Sequence, residues 1–204
     1  MMPMSAIRRW LPILCLILVP ACTLLPPAPR QPMHRYRLEL APGAVGRVPG
    51  RQDVVEIGPI RVFPAYATAR IAYRGEGGGL AYHARHRWVD APARQLAPLL
   101  ADALAASGCC RAVVLPGAGV APRVRLVLNL LRFEIDYRPR PAVFRLTARL
   151  QVVDVPNRRV LAARRLSLSE PLAARSPAAG VAAADRCLAR LAAAAAHLLG
   201  RSVP

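Results

Sequence analysis

Apolar and polar residues alternate with a period of two over much of the chain. In "YRLEL" (Tyr36–Leu40), Tyr36, Leu38 and Leu40 alternate with Arg37 and Glu39, the pattern of a half-buried strand. "VVEIGPIRV" (Val54–Val62) reads as a second strand. Gly58-Pro59 interrupts it and predicts a bulge or an edge position. Ala69–Arg74 and Leu80–Arg85 flank the glycine-rich turn Gly75–Gly79, which predicts a hairpin. The period then lengthens. Leu96, Leu99, Leu100, Ala103 and Leu104 form one face of a helix within Asp90–Gly108. Asp90 suits its cap, Pro92 its first turn and Gly108 its end. Pro98 predicts a delayed start or a kink.

The second half repeats the scheme with longer strands. In Arg123–Tyr137, Leu126, Leu128 and Leu130 are apolar at even positions; after that, Leu131, Phe133 and Ile135 are apolar at odd ones. One face cannot stay buried through that change of phase without an extra residue, so a bulge is expected near Leu130-Leu131. In Val143–Val155, Phe144, Leu146, Ala148 and Leu150 share one face, and Arg145, Thr147, Arg149 and Gln151 the other. A "PNR" turn at Pro156–Arg158 leads into the returning strand Arg159–Glu170. A final helix has Ser176 as its cap and Pro177 at its first position. Val181, Ala184, Leu188, Leu191, Ala195 and Leu198 form its apolar stripe, and Gly200 its end. The expected fold is α+β: a two-layer domain, a mostly antiparallel sheet with two helices packed on one face.

Composition changes the picture in one respect. All 29 basic residues are arginine, against 11 acidic ones, and the formal net charge is +18. An anionic partner is expected. Without lysine there is neither a Walker-type phosphate loop nor Schiff-base chemistry. Neither a Gly-x-Ser-x-Gly elbow nor a His-Glu-x-x-His motif occurs. No enzyme, cofactor or metal site is therefore expected. His83 and His86 lie in the basic run "YHARHRW" (Tyr82–Trp88). That run reads either as a solvated strand end with Trp88 as a half-buried plug, or as a docking patch. In the second reading Arg85, Arg87 and Trp88 contact an acidic partner or lipid phosphate.

The N-terminus has the layout of a signal. Arg8 and Arg9 precede a short apolar core, Trp10–Val19, and Val19-Pro20-Ala21 leads to Cys22. The apolar core is about ten residues, half of what a membrane-spanning helix needs. The site resembles a bacterial lipoprotein box, with cleavage between Ala21 and Cys22 and lipidation of Cys22. The expected division is signal peptide 1–21, lipidated N-terminus and Pro-rich tether 22–34, and folded domain 35–204. Thr23, where an inner-membrane lipoprotein resembling this one would carry aspartate, leans toward the outer membrane. In an oxidising periplasm Cys109, Cys110 and Cys187 remain. A bridge from Cys187 to Cys109 or Cys110, or three buried thiols, are both open.

Two stretches carry a family resemblance: "IGPIRVFPAYATARIAYR" (Ile57–Arg74) and "LAYHARHRWVDAPARQLAPLLADAL" (Leu80–Leu104). Pro64 with Tyr66, then Arg70, Ile71 and Arg74, then Trp88 with Pro92 match the pattern. These residues resemble the ABC-type transport auxiliary lipoproteins that accompany MCE-type intermembrane lipid transport systems. The resemblance implies an outer-membrane lipoprotein on the periplasmic face, held in lipid by acylated Cys22. It implies an MCE-domain protein as partner and not nucleic acid, with a homo-oligomer or ring matching the MCE assembly. An alternative role is a structural lipoprotein for outer-membrane protein or lipopolysaccharide export. The basic run Tyr82–Trp88 departs from the family pattern.

Overall fold

The computed structural model describes residues 32–49 and 51–202. Alternating apolar residues build nine strands there: β1 (His34–Tyr36), β2 (Arg51–Ile57), β3 (Arg61–Val62), β4 (Arg70–Arg74), β5 (Leu80–Trp88), β6 (Cys110–Val114), β7 (Val124–Asp136), β8 (Val143–Asp154) and β9 (Arg159–Pro171). Two helices are described with them, α1 (Pro92–Ser107) and α2 (Pro177–Ser202). All strands join one sheet. The fold is α+β, as the pattern implies.

β7 organises the sheet. On one side it pairs antiparallel with β8, which pairs antiparallel with β9. On the other side β2, β3 and β4 lie in succession along it, all parallel. The Val54–Val62 run is therefore two strands on one neighbour. Between them, Gly58 donates its N–H to Leu126 O at 2.9 Å, and a Cβ there would come within 3.1 Å of the Arg125 side chain. The expected bulge in β7 falls between Leu130 and Arg132. It keeps Leu126, Leu128, Leu130, Phe133 and Ile135 all buried.

α1 packs on β2 and β6, and α2 on β7, β8 and β9, with the helices in contact. Both cover the same sheet face. α1 runs through Pro98 and buries Leu96, Leu100 and Leu104. Its cap differs from expectation: Ala91 is the N-cap, and Asp90 instead accepts the Ala91 N–H at 2.7 Å and holds the Arg94 guanidinium. Gly108 ends the helix at φ 69°, a left-handed cap that glycine takes without penalty. Ser176 Oγ accepts the Ala179 N–H at 3.2 Å, capping α2 as expected. At Gly180 a Cβ would lie 2.2 Å from Ile135 Cδ1; glycine there lets α2 sit down on β7. α2 continues to Ser202, past Gly200, and Leu199 rather than Leu198 is its last deeply buried residue.

The strand expected at Tyr36–Leu40 stops at Tyr36. Leu38 points inward, 1% exposed. Its N–H, however, donates to Gln95 Oε1 of α1 at 3.0 Å, and the Glu39 N–H donates to Asp185 Oδ1 of α2 at 3.0 Å. Helix side chains satisfy the backbone where a neighbouring strand would otherwise do so.

Candidate functional site

Among the described residues no helix packs on the second face of the sheet. Residues directly opposed across strands share a face, so the register identifies what this face presents. Glu56 opposes Arg125, Arg132 opposes Thr147, Glu134 opposes Arg145, and Asp136 opposes Val143 and Arg74. The carboxylates are sunk among arginines. Glu134 is fully buried; its Oε1 accepts from Arg74 Nε at 2.8 Å and Arg132 Nε at 2.7 Å, and its Oε2 from the Tyr66 hydroxyl at 2.5 Å. Burial, then the bond to Glu134, pushes the Tyr66 hydroxyl up to about 12. Tyr66 is delivered by a short 3-10 turn, Pro64–Tyr66, whose proline sets the first dihedral. Asp136 is also fully buried, and accepts from Arg138 and Arg145 at 2.8 Å. Hydrogen bonds from Arg138 and then Arg145 hold its carboxyl well below the usual range. Glu56 takes Arg125 Nε at 2.5 Å.

The three residues singled out at the end of β5 are not brought together. Trp88 is a correction: it is only 3% exposed, with its ring 5.6 Å from Phe133 in the core. It cannot touch a partner. Arg87 is exposed on the open face, between Arg70 of β4 and Arg35 of β1. Arg85 lies elsewhere. β5 bulges against β4, since Arg70 opposes Arg87 while Ala72 opposes Tyr82. The extra residues carry Arg85 into a cleft of about 540 Å³ lined by His83, His86, Tyr137, Arg175 and Pro177.

That cleft gathers aromatic rings. His83 packs 4.5 Å from Tyr73, and the Tyr137 hydroxyl is 3.4 Å from its Nε2. His86 stacks 4.9 Å from His34 and lies 3.1 Å from the Tyr36 hydroxyl. Arg175 donates to Tyr137 O at 2.6 Å and lies over its ring. Burial, reinforced by His86, lowers the His83 imidazole to about 4. His83 and His86 thus pack against tyrosine rings, while Ala84, Arg85 and Arg87 of the same strand stay exposed and Trp88 is buried at its end. Among the described residues no group of three His, Cys, Asp or Glu side chains could hold a metal.

The three cysteines in the domain are free. Cys109 Sγ lies 3.2 Å from Cys110 Sγ. That shared hydrogen bond holds the Cys109 thiol below its usual range, and with burial it pushes Cys110 above its own. Burial pushes Cys187 up to about 12. Ala21 and Cys22 lie outside the described residues. Among the described residues no helix is long and apolar enough to cross a membrane.

The buried carboxylates and the arginine pairs escaped the sequence reading. The signal for them was the polar phase Arg132-x-Glu134-x-Asp136; what it lacked was register, which alone puts Arg74, Arg145 and Tyr66 beside those carboxylates.

Solved structures share the fold. Protein XCC0632 from Xanthomonas campestris matches with TM-score 0.71 and 18% identity over 80% of this chain and 93% of its own. An uncharacterised protein matches with TM-score 0.65 and 13% identity, over 81% and 97%. The hypothetical protein CT253 from Chlamydia trachomatis matches with TM-score 0.51 and 11% identity, over 75% and 100%. No curated protein matches by sequence. The model of the ABC-type transport auxiliary lipoprotein component matches residues 36–196, from the end of β1 to the last turns of α2, and the chain belongs to that family.

Proposed function

We propose that this protein is a non-enzymatic, outer-membrane lipoprotein that serves an MCE-type ABC transporter of intermembrane lipids by docking on its periplasmic MCE assembly. The family match over residues 36–196 carries this reading. Signal cleavage between Ala21 and Cys22 leaves acylated Cys22 in the periplasmic face of the outer membrane. Residues 22–34 form the tether and residues 35–204 the domain that reaches the partner. More than one acyl chain makes such an anchor stable. The open, arginine-bearing face supports a docking role, because its carboxylates are engaged by the protein's own arginines and leave other arginines free to meet a partner.

Co-purification of the acylated chain with the MCE-domain protein of its own organism tests the reading. Recovery of the two together is expected. Failure to associate, with both proteins folded, overturns it. Cys22→Ser is expected to abolish incorporation of labelled palmitate and to release the chain from the membrane fraction.

A further inference from the structure

Two rows of arginine cross the open face, at right angles to the strands. In the first, Arg35 of β1 opposes Arg87 of β5, which opposes Arg70 of β4. In the second, Arg61 of β3 opposes Asn129 of β7, Asn129 opposes Arg149 of β8, and Arg149 opposes Arg165 of β9. All six arginines are exposed. None makes an ion pair among the described residues; the face's own carboxylates, Glu56, Glu134 and Asp136, are taken by other arginines.

Like charges directly opposed on neighbouring strands are destabilising. A chain that sets Arg149 against Arg165 and places Arg87 between two more arginines carries a local conflict that folding alone does not explain. Such conflicts concentrate where a protein works on something else. We propose that these two rows form the surface that receives an acidic, carboxylate-bearing face of the protein partner. The inference rests on the docking role proposed above and deepens it by naming the surface and its chemistry.

Three observations select that occupant. A second copy of this chain is disfavoured: the same face would meet the same unpaired arginines, on a chain in which arginine far outnumbers acidic residues. The charges are guanidinium forks, which match carboxylates in bidentate fashion, and strands about 4.8 Å apart hold them in a fixed register. A fluid lipid surface needs no register, whereas carboxylates on a folded surface come with one. Finally, Phe63, two residues beyond Arg61, is 56% exposed, with its ring 6.2 Å from that of Tyr66. An exposed aromatic ring beside arginines is the composition of an interface anchor.

The test compares full-length acylated proteins, co-purified with the MCE-domain protein of the same organism. Arg149→Glu with Arg165→Glu is expected to cut recovery of the partner by roughly tenfold or more. Arg111→Glu with Arg201→Glu makes the same change of charge on β6 and α2 and is expected to leave recovery unchanged. Arg149→Ser with Arg165→Ser, a milder change, is expected to weaken binding and flatten its dependence on salt. Thermal unfolding of each variant separates lost binding from lost folding. Equal recovery for the row variants and the wild type overturns the inference while leaving the docking role standing. Failure of the wild type to bind overturns both. If the row variants keep the protein partner but lose binding to phosphatidylglycerol vesicles, the face is a membrane surface and the inference fails.

Discussion

The two faces of the sheet are built from the same strands and do opposite things. Under the helices, β7 and β8 contribute Leu126, Leu128, Leu130, Phe144 and Leu146, none more than 1% exposed. On the other side the same strands contribute arginines, buried carboxylates, Asn129 and Thr147. The first face is closed by packing and the second by ion pairs that leave charge over. Stability is therefore concentrated under the helices, and the chemistry available to a partner lies opposite. Removal of packing sharpens this contrast most. Phe144 is 1% exposed, with its ring 4.9 Å from Phe133. Phe144→Ala is expected to lower the stability of the domain by about 3–5 kcal/mol, read as a shift in the urea midpoint. Loss below about 1 kcal/mol would mean that the two faces are not so divided.

The open face has one place where it should behave like the covered one. Glu134 is fully buried and bound by Tyr66, Arg74 and Arg132. Glu134→Gln keeps the shape but removes the charge, and should lower stability by about 1–3 kcal/mol. The arginine side chains are 26% and 33% exposed, so water takes up part of the loss. Tyr66 gives the same node a signature in pH. Its hydroxyl rises from 10.0 to about 12 in the folded state, so the unfolded chain ionises first. The tyrosine's contribution is complete below pH 10 and disappears between about 10 and 12. Tyr66→Phe should flatten the stability profile in that window.

How much of this was legible in the sequence follows the same division. The covered face repeats apolar residues at fixed spacing, so most of its strands, its two helices and even the bulge at Leu131 could be read from one chain; the short β6, Cys110–Val114, has no such alternation and was not. The open face depends on which residue stands opposite which. Nothing local pairs Arg61 with Asn129 across 68 positions of sequence, or sets Glu134 beside Tyr66. The docking alternative for Trp88 fails for a related reason, and the plug alternative fits better: a basic run surrounds it, yet alternation turns it inward while Arg87 turns out. The segment Leu38–Leu40 had strand periodicity, but the side chains of Gln95 and Asp185 took its backbone donors.

The cleft beside α2 offers a smaller effect with a defined direction. His83 falls from 6.5 to about 4 on folding, chiefly by burial. A depressed imidazole means that the unfolded chain takes up the proton first. Its contribution is whole above pH 6.5 and fades as pH falls toward 4. His86 is shifted the same way. Urea midpoints measured at pH 7, 5.5 and 4.5 should fall for the wild type and fall less for His83→Gln. Parallel profiles would mean that His83 keeps its proton chemistry in the folded state and is open to water.

The smallest effect is the most diagnostic. If the arginine rows served only the fold, removing one arginine would lower stability slightly or do nothing. Arg149 faces Arg165 with no carboxylate beside it among the described residues, so the opposite sign is expected. Arg149→Ser should raise stability by roughly 0.2–1 kcal/mol, the range for cross-strand pairs. The gain should be largest in dilute buffer and shrink toward zero near 1 M salt, where the screening length is about 3 Å. Arg145, in the same strand as Arg149, holds Asp136 of β7 at 2.8 Å and supplies the contrast: Arg145→Ser should lower stability and lose part of that effect with salt. Urea denaturation of both variants at low and high ionic strength decides the matter. Opposite signs four residues apart would show that one arginine on this face is held for the protein's own stability and the other against it. A fall in stability at both positions would make the rows ordinary structure.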